Sequence, residues 1–139
     1  MSEVFVDTAY LIAITRDDDQ WHTAAVEARQ RLGEASFVTT DEVLMEFLTA
    51  LARGGSRLRA EAVIRVREVL GASDIRVVPQ SRQSLTDGLT RYGSRSDKSY
   101  SLQDCISMKV MEAEGITEVL TSDHNFEQEG FTILMKQDG

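Results

Sequence analysis

Two kinds of segment alternate along this chain. Short runs rich in β-branched and aromatic residues, at 4–6, 36–40, 75–78, 119–121 and 131–134, read as five strands. Between them apolar residues recur at helical spacing over 8–16, 20–32, the stretch ending near 53, 58–70, 81–92 and 101–115. Breaks fall where chain chemistry requires them. Asp17, Asp18 and Asp19 separate the first two helices, Gly33 closes the second, Gly54 and Gly55 end the third, and Pro79 stops the third strand. Thr39 and Glu42 form a T-x-x-E capping box opening the third helix. Ser101 and Asp104 repeat that pattern after the polar loop 93–100. Strand and helix alternating in this way predict an α/β fold with a mainly parallel five-stranded sheet. Such sheets bind ligands beyond the carboxyl ends of their strands, which is where chemistry is expected.

Four acids fall at element ends on that side. Asp7 directly follows the first strand, and Asp123 comes just after the fourth. Asp104 lies in the first turn of the helix before the fourth strand, and Glu46 one turn into the helix after the second. Each has an ordinary structural use. Asp7 can cap a helix, Asp104 can complete the box with Ser101, and Asp123 can make an Asx-turn toward Asn125. Glu46 falls between Val43 and Ala50, bordering a stripe of Val43, Leu44, Phe47, Leu48 and Leu51 that reads as core. Taken jointly the four imply more than caps. Two carboxylates at ~4 Å repel by about 4 kcal/mol at an effective dielectric of ~20. Proton uptake or a divalent cation relieves such repulsion, and carboxylates with water suit Mg²⁺ or Mn²⁺.

Composition narrows the classes. The 139 residues, 42 % hydrophobic, suit one domain, taken as 1–139, with a core of its own. A lone cysteine, Cys105, excludes an internal disulfide and fits a reducing compartment. Cys105, Met108 and Met111 share a helix face and read as core, and no Cys/His grouping has zinc spacing. The first segment lacks the basic start of a secretory leader, and no stretch approaches the ~20 apolar residues of a membrane span. A soluble, cytoplasmic protein is therefore expected. The net charge of −8 argues against a general nucleic-acid coat but leaves room for local cations. Candidates are Arg53, Arg57 and Arg59 around the Gly-Gly loop, and Arg91, Arg95 and Lys98 before the second box.

The segments VFVDTAYLIAI, TTDEVLMEFLTAL, DKSYSLQDCISMKVM and TSDHNFEQEGF, in this order, resemble the PIN-domain family, especially the VapC-type toxins of toxin–antitoxin pairs. The resemblance runs the length of the chain and implies a three-layer α/β/α arrangement. It implies an endoribonuclease that hydrolyses RNA phosphodiester bonds with Mg²⁺ or Mn²⁺ and an activated water. By position, Asp7, Glu46, Asp104 and Asp123 match the family's metal-site acids, and Thr8 and Ser122 match small polar residues that line the site. A homodimer held by helices and an antitoxin partner are implied in the same way. Arg53 and Arg95 are expected to meet RNA.

Other readings fit less well. A phosphatase of the haloacid-dehalogenase type needs a second acid two residues after its nucleophilic aspartate, where Ala9 stands. A phosphoacceptor domain needs an aspartate after the third strand, where Pro79 and Gln80 stand. A housekeeping nuclease without an antitoxin, or a non-catalytic RNA-binding module, is the alternative.

Overall fold

The computed structural model describes residues 2–137. Strands β1 (Glu3–Val6), β2 (Ser36–Thr40), β3 (Ile75–Val78), β4 (Glu118–Leu120) and β5 (Thr132–Ile133) form one sheet, ordered β3-β2-β1-β4-β5. Every pairing is parallel. Strand β1 is central: Val4 and Phe5 face Phe37 and Val38 on one side, Glu118 and Val119 on the other. A central strand is covered on both faces, so Val4, Phe5 and Val6 are all buried and their run is unbroken rather than alternating.

From β1 the chain steps outward to β2 and β3, then returns across to β4 and β5. The first route carries α1 (Thr8–Thr15), α2 (His22–Leu32), α3 (Asp41–Leu51) and α4 (Ser56–Gly71). The second carries α5 (Arg82–Ser94), α6 (Leu102–Glu114) and α7 (Asn125–Gln128). Right-handed crossovers running in opposite directions place these groups on opposite faces, giving the three-layer α/β/α fold. They also open a crevice where the winding reverses, between the carboxyl ends of β1 and β4. The first and last of the four acids stand there.

Helix α1 is apolar almost all round because it packs against α2, α3 and α4 at once. Phe5, Phe47 and Phe126 are wholly buried, each worth about 1.5–3 kcal/mol over an exposed position. Helices α5 and α6 approach closely at Gly88, where a Cβ would lie 2.5 Å from Ile106 Cγ1. Gly115 ends α6 in the left-handed region, φ 70°, which a residue with a Cβ enters at a cost.

Several local expectations shift. The cap of α3 is Thr40, whose hydroxyl accepts from the Val43 N–H at 3.0 Å. Thr39 instead donates to the Val6 carbonyl at 2.8 Å, tying β2 to β1, and Glu42 accepts from Ser84 at 3.0 Å. The expected Thr39–Glu42 box is thus a cap one residue later. Strand β4 starts and ends one residue before its expected bounds, and α7 is an added short helix. The apolar stripe of α3 divides: Phe47 and Leu51 are buried, whereas Leu48 is 36 % exposed. In α4, Ala62 and Val69 are buried while Val63 and Leu70 face outward. No helix among the described residues is long and apolar enough to cross a membrane.

Candidate functional site

Asp7 occupies the N-cap position of α1 with extended backbone, yet its carboxylate makes no cap hydrogen bond. It turns toward β4, where the Thr121 hydroxyl donates to Asp7 Oδ2 at 2.7 Å. The same hydroxyl accepts from the Asp123 N–H at 3.1 Å, so one threonine ties the β4 terminus to two of the acids. Asp7 is only 5 % exposed. Burial pushes its pKa up to about 7. The Thr121 hydrogen bond opposes this, and the charges of Asp104 and Glu46 add to it.

Glu46 is partly buried on α3 and accepts a hydrogen bond from the Thr8 hydroxyl. Thr8, expected to line the site, is itself buried and engaged in holding this glutamate. Asp104 sits at the third position of α6. Its Oδ2 accepts from the Ser101 N–H at 3.1 Å, and the Ser101 hydroxyl accepts from its N–H at 3.0 Å. Burial pushes its pKa up to about 6. The Ser101 N–H acts against this, Asp123 and Glu46 reinforce it, and the Asn125 side chain opposes it by a hydrogen bond. Asp123 Oδ1 accepts from the Asn125 N–H at 2.9 Å, the expected Asx-turn, which opens α7. The structural uses of Asp104 and Asp123 and their convergence are therefore both present. Asp7 feels Asp104 and Glu46, and Asp104 feels Asp123 and Glu46, so the four form one electrostatic unit.

Among the described residues, no three His, Cys, Asp or Glu side chains are grouped closely enough to hold one ion between them. The acids converge without forming a closed cage. Hard oxygen donors, partial burial and mutual repulsion fit a hydrated divalent cation.

The other expected residues scatter. Ser122 is partly buried between Thr121 and Asp123. Arg53 is exposed beyond α3 and makes no ion pair among the described residues. Arg57 pairs with Glu61, and Arg59 donates to the Ala52 carbonyl at 2.9 Å. Arg95 is bound to Glu129 at 3.0 Å, and Arg91 is buried, so that basic run is largely consumed inside the protein. His22 bonds the Ala13 carbonyl at 2.7 Å, exposed His124 pairs with Glu127, and Cys105, Met108 and Met111 are core as expected.

Sequence reasoning passed over Thr121, which orients Asp7. Two-residue periodicity carried from Val119 through 121 to 123 would have placed Thr121 on the side of Asp123.

The PIN domain family model matches residues 4–131. No curated protein sequence gave a match. Among solved structures, the fold is similar to Mycobacterium tuberculosis VapC20, described as a sarcin–ricin loop cleaving toxin, with TM-score 0.83, 24 % identity and coverage of 93 % of this chain and 96 % of that one. It is also similar to VapBC2 from Rickettsia felis bound to a promoter DNA fragment (0.67, 10 %, covering 94 % and 96 %). A third is FitAcB from Neisseria gonorrhoeae (0.65, 14 %, covering 94 % and 96 %). A family match spanning nearly the whole chain, on a parallel sheet with acids gathered at its winding reversal, has one consequence: this chain belongs to the PIN domain family.

Proposed function

We propose that the chain is a divalent-metal-dependent endoribonuclease acting as the toxin of a type II toxin–antitoxin pair. The observation carrying this reading is Asp7: a carboxylate buried at the end of the central strand, held by the Thr121 hydroxyl and lying in the field of Asp104 and Glu46. Asp7 and Asp104 would hold the ion directly, with Glu46 and Asp123 acting through water. Bound there, Mg²⁺ or Mn²⁺ supplies an activated water and polarises the scissile phosphate.

The chain's own residues prepare the site. Thr121 and Thr8 fix Asp7 and Glu46, and the Ser101 N–H fixes Asp104. Preset orientation of this kind spares reorganisation when substrate arrives. Exposed Arg53 would meet RNA only beyond the far end of α3, and Arg95 serves only by leaving Glu129. A second copy of this chain and a cognate antitoxin are the partners in this reading, and the cytoplasm its place. Neighbouring folds solved as VapBC2 and FitAB assemblies on DNA support the antitoxin.

The test is cleavage of RNA, including a hairpin carrying a sarcin–ricin loop, with Mn²⁺, Mg²⁺ or EDTA. Metal-dependent cleavage by the wild type and a loss of 100-fold or more in Asp7→Asn are expected. Equal cleavage by both proteins, or cleavage persisting in EDTA, overturns the reading.

A further inference from the structure

Asp104 and Asp123 come to the site on two separate segments, α6 and the turn before α7, and their like charges repel. One buried group opposes that repulsion. Glu129, immediately after α7, has a side chain 9 % exposed. Its Oε2 accepts from the Tyr100 hydroxyl at 2.9 Å and from Arg95 Nε at 3.1 Å, and its Oε1 accepts from Arg95 Nη2 at 3.0 Å. Arg91 Nη1 lies 3.7 Å from the same Oε1, buried and with no hydrogen-bond partner among the described residues, while another nitrogen of Arg91 binds Glu112. Tyr100, buried itself, directly precedes Ser101, the cap of the helix that carries Asp104. Glu129 therefore joins the entry to α6 to the exit of α7 by charge-assisted bonds, its own side chain largely buried and Arg95 partly exposed.

We propose that Glu129 is a positioning residue for the acidic site, fixing the segments that carry Asp104 and Asp123 relative to each other around the proposed cation through its bonds to Tyr100 and Arg95. The group touches neither acid and works through the two backbone segments it joins. The inference rests on the metal-dependent reading above. Outer groups that orient metal ligands typically contribute about 10- to 100-fold in affinity.

Mn²⁺ affinity, measured by electron paramagnetic resonance of the free ion, is the direct readout. The proteins compared are wild type, Glu129→Gln, Tyr100→Phe, and Val69→Ala as a core change on the remote helix α4. Tyr100→Phe keeps the ring and removes one bond, so it remains informative should Glu129→Gln fold poorly. The expected result is about tenfold weaker Mn²⁺ binding in Tyr100→Phe and a larger loss in Glu129→Gln. Cleavage by Tyr100→Phe should recover at saturating Mn²⁺, and Val69→Ala should bind as wild type does despite a lower melting temperature. Wild-type affinity in Tyr100→Phe and in any folded Glu129→Gln overturns the proposal and leaves the metal site standing. Equal weakening in Val69→Ala overturns it too, since general destabilisation then accounts for the loss. Failure of the wild type to bind Mn²⁺ removes the reading beneath it.

Discussion

Asp7 stands at the N-cap position of α1 yet is buried among other acids. An aspartate at 5 % exposure, beside two other acids, is held near pKa 7 rather than 3.8, chiefly by burial. The native protein thus keeps a proton on this group between about pH 4 and 7 that the unfolded chain has released. Stability of the metal-free protein must fall as pH rises through that window, and the loss is complete above it. Three units correspond to about 4 kcal/mol at most. Asp7→Asn removes the charge and keeps an acceptor for Thr121. Thermal melts of metal-free protein should show the variant more stable than wild type by a few kcal/mol at pH 8, little different at pH 4, and flatter in between. The same variant should gain no stability from Mg²⁺. A variant less stable than wild type at pH 8 would mean that Asp7 is a structural anchor. Thr121→Val tests the opposing force. Losing that hydrogen bond raises the Asp7 pKa further, so the acid limb of the cleavage–pH profile should move to higher pH. An unmoved limb would show that Asp7 is not the group titrating there.

At the level of elements, one short motif serves two purposes. The Ser101–Asp104 box starts α6 and also aims an acid at the crevice. The purposes separate by substitution. Ser101→Ala removes the acceptor for the Asp104 N–H and should cost about 1 kcal/mol, or roughly 4 °C in melting temperature, with cleavage largely kept. Asp104→Asn still accepts from the Ser101 N–H and sheds a charge that burial disfavours, so at pH 8 it should melt at or above wild type while cleavage is lost. The reverse pattern would make the box the functional feature and the charge incidental. Such motifs explain what was legible from residues alone. The strands, the Ser101 box and all four acids could be placed because each depends on neighbours within a few positions. The cap of α3 was placed one residue early because Thr39 and Thr40 are alike locally; only the Val6 carbonyl, from another strand, decides between them. Helix α7 is four residues long and carries too little periodicity to be seen; burial of Phe126 against Phe131, edge to face at 6.3 Å, secures it. Arg95 read as a free cation because Glu129, 34 positions away, is brought beside it only by the folded sheet.

On the scale of the whole molecule, the surface is uneven in apolarity. Met45 is 47 % exposed and Leu48 36 % on successive turns of α3, and Val63 is 41 % exposed on α4. Leu48 and Val63 line one groove with Ala52 and Ala62, while Met45 lines another with Leu85, Leu102 and Ile106. A chain of net charge −8 repels its copies at long range, so contact between them needs an apolar seam that offsets this cost. We propose the α3–α4 face as the seam of the homodimer. Sedimentation at 0.15 M salt should give a species near 31 kDa, twice the 15.5 kDa chain. Leu48→Glu places a carboxylate on the seam of each copy and should yield the monomer, melting within about 1 kcal/mol of wild type because the site is partly exposed. Salt supplies an independent check: screening weakens repulsion between like-charged copies, so dimerisation should strengthen as salt rises from 0.05 to 0.5 M, whereas a seam held by ion pairs would weaken. A dimer unaffected by Leu48→Glu would move the interface away from α3, and a monomeric wild type at tens of micromolar would leave the apolar face to a different partner.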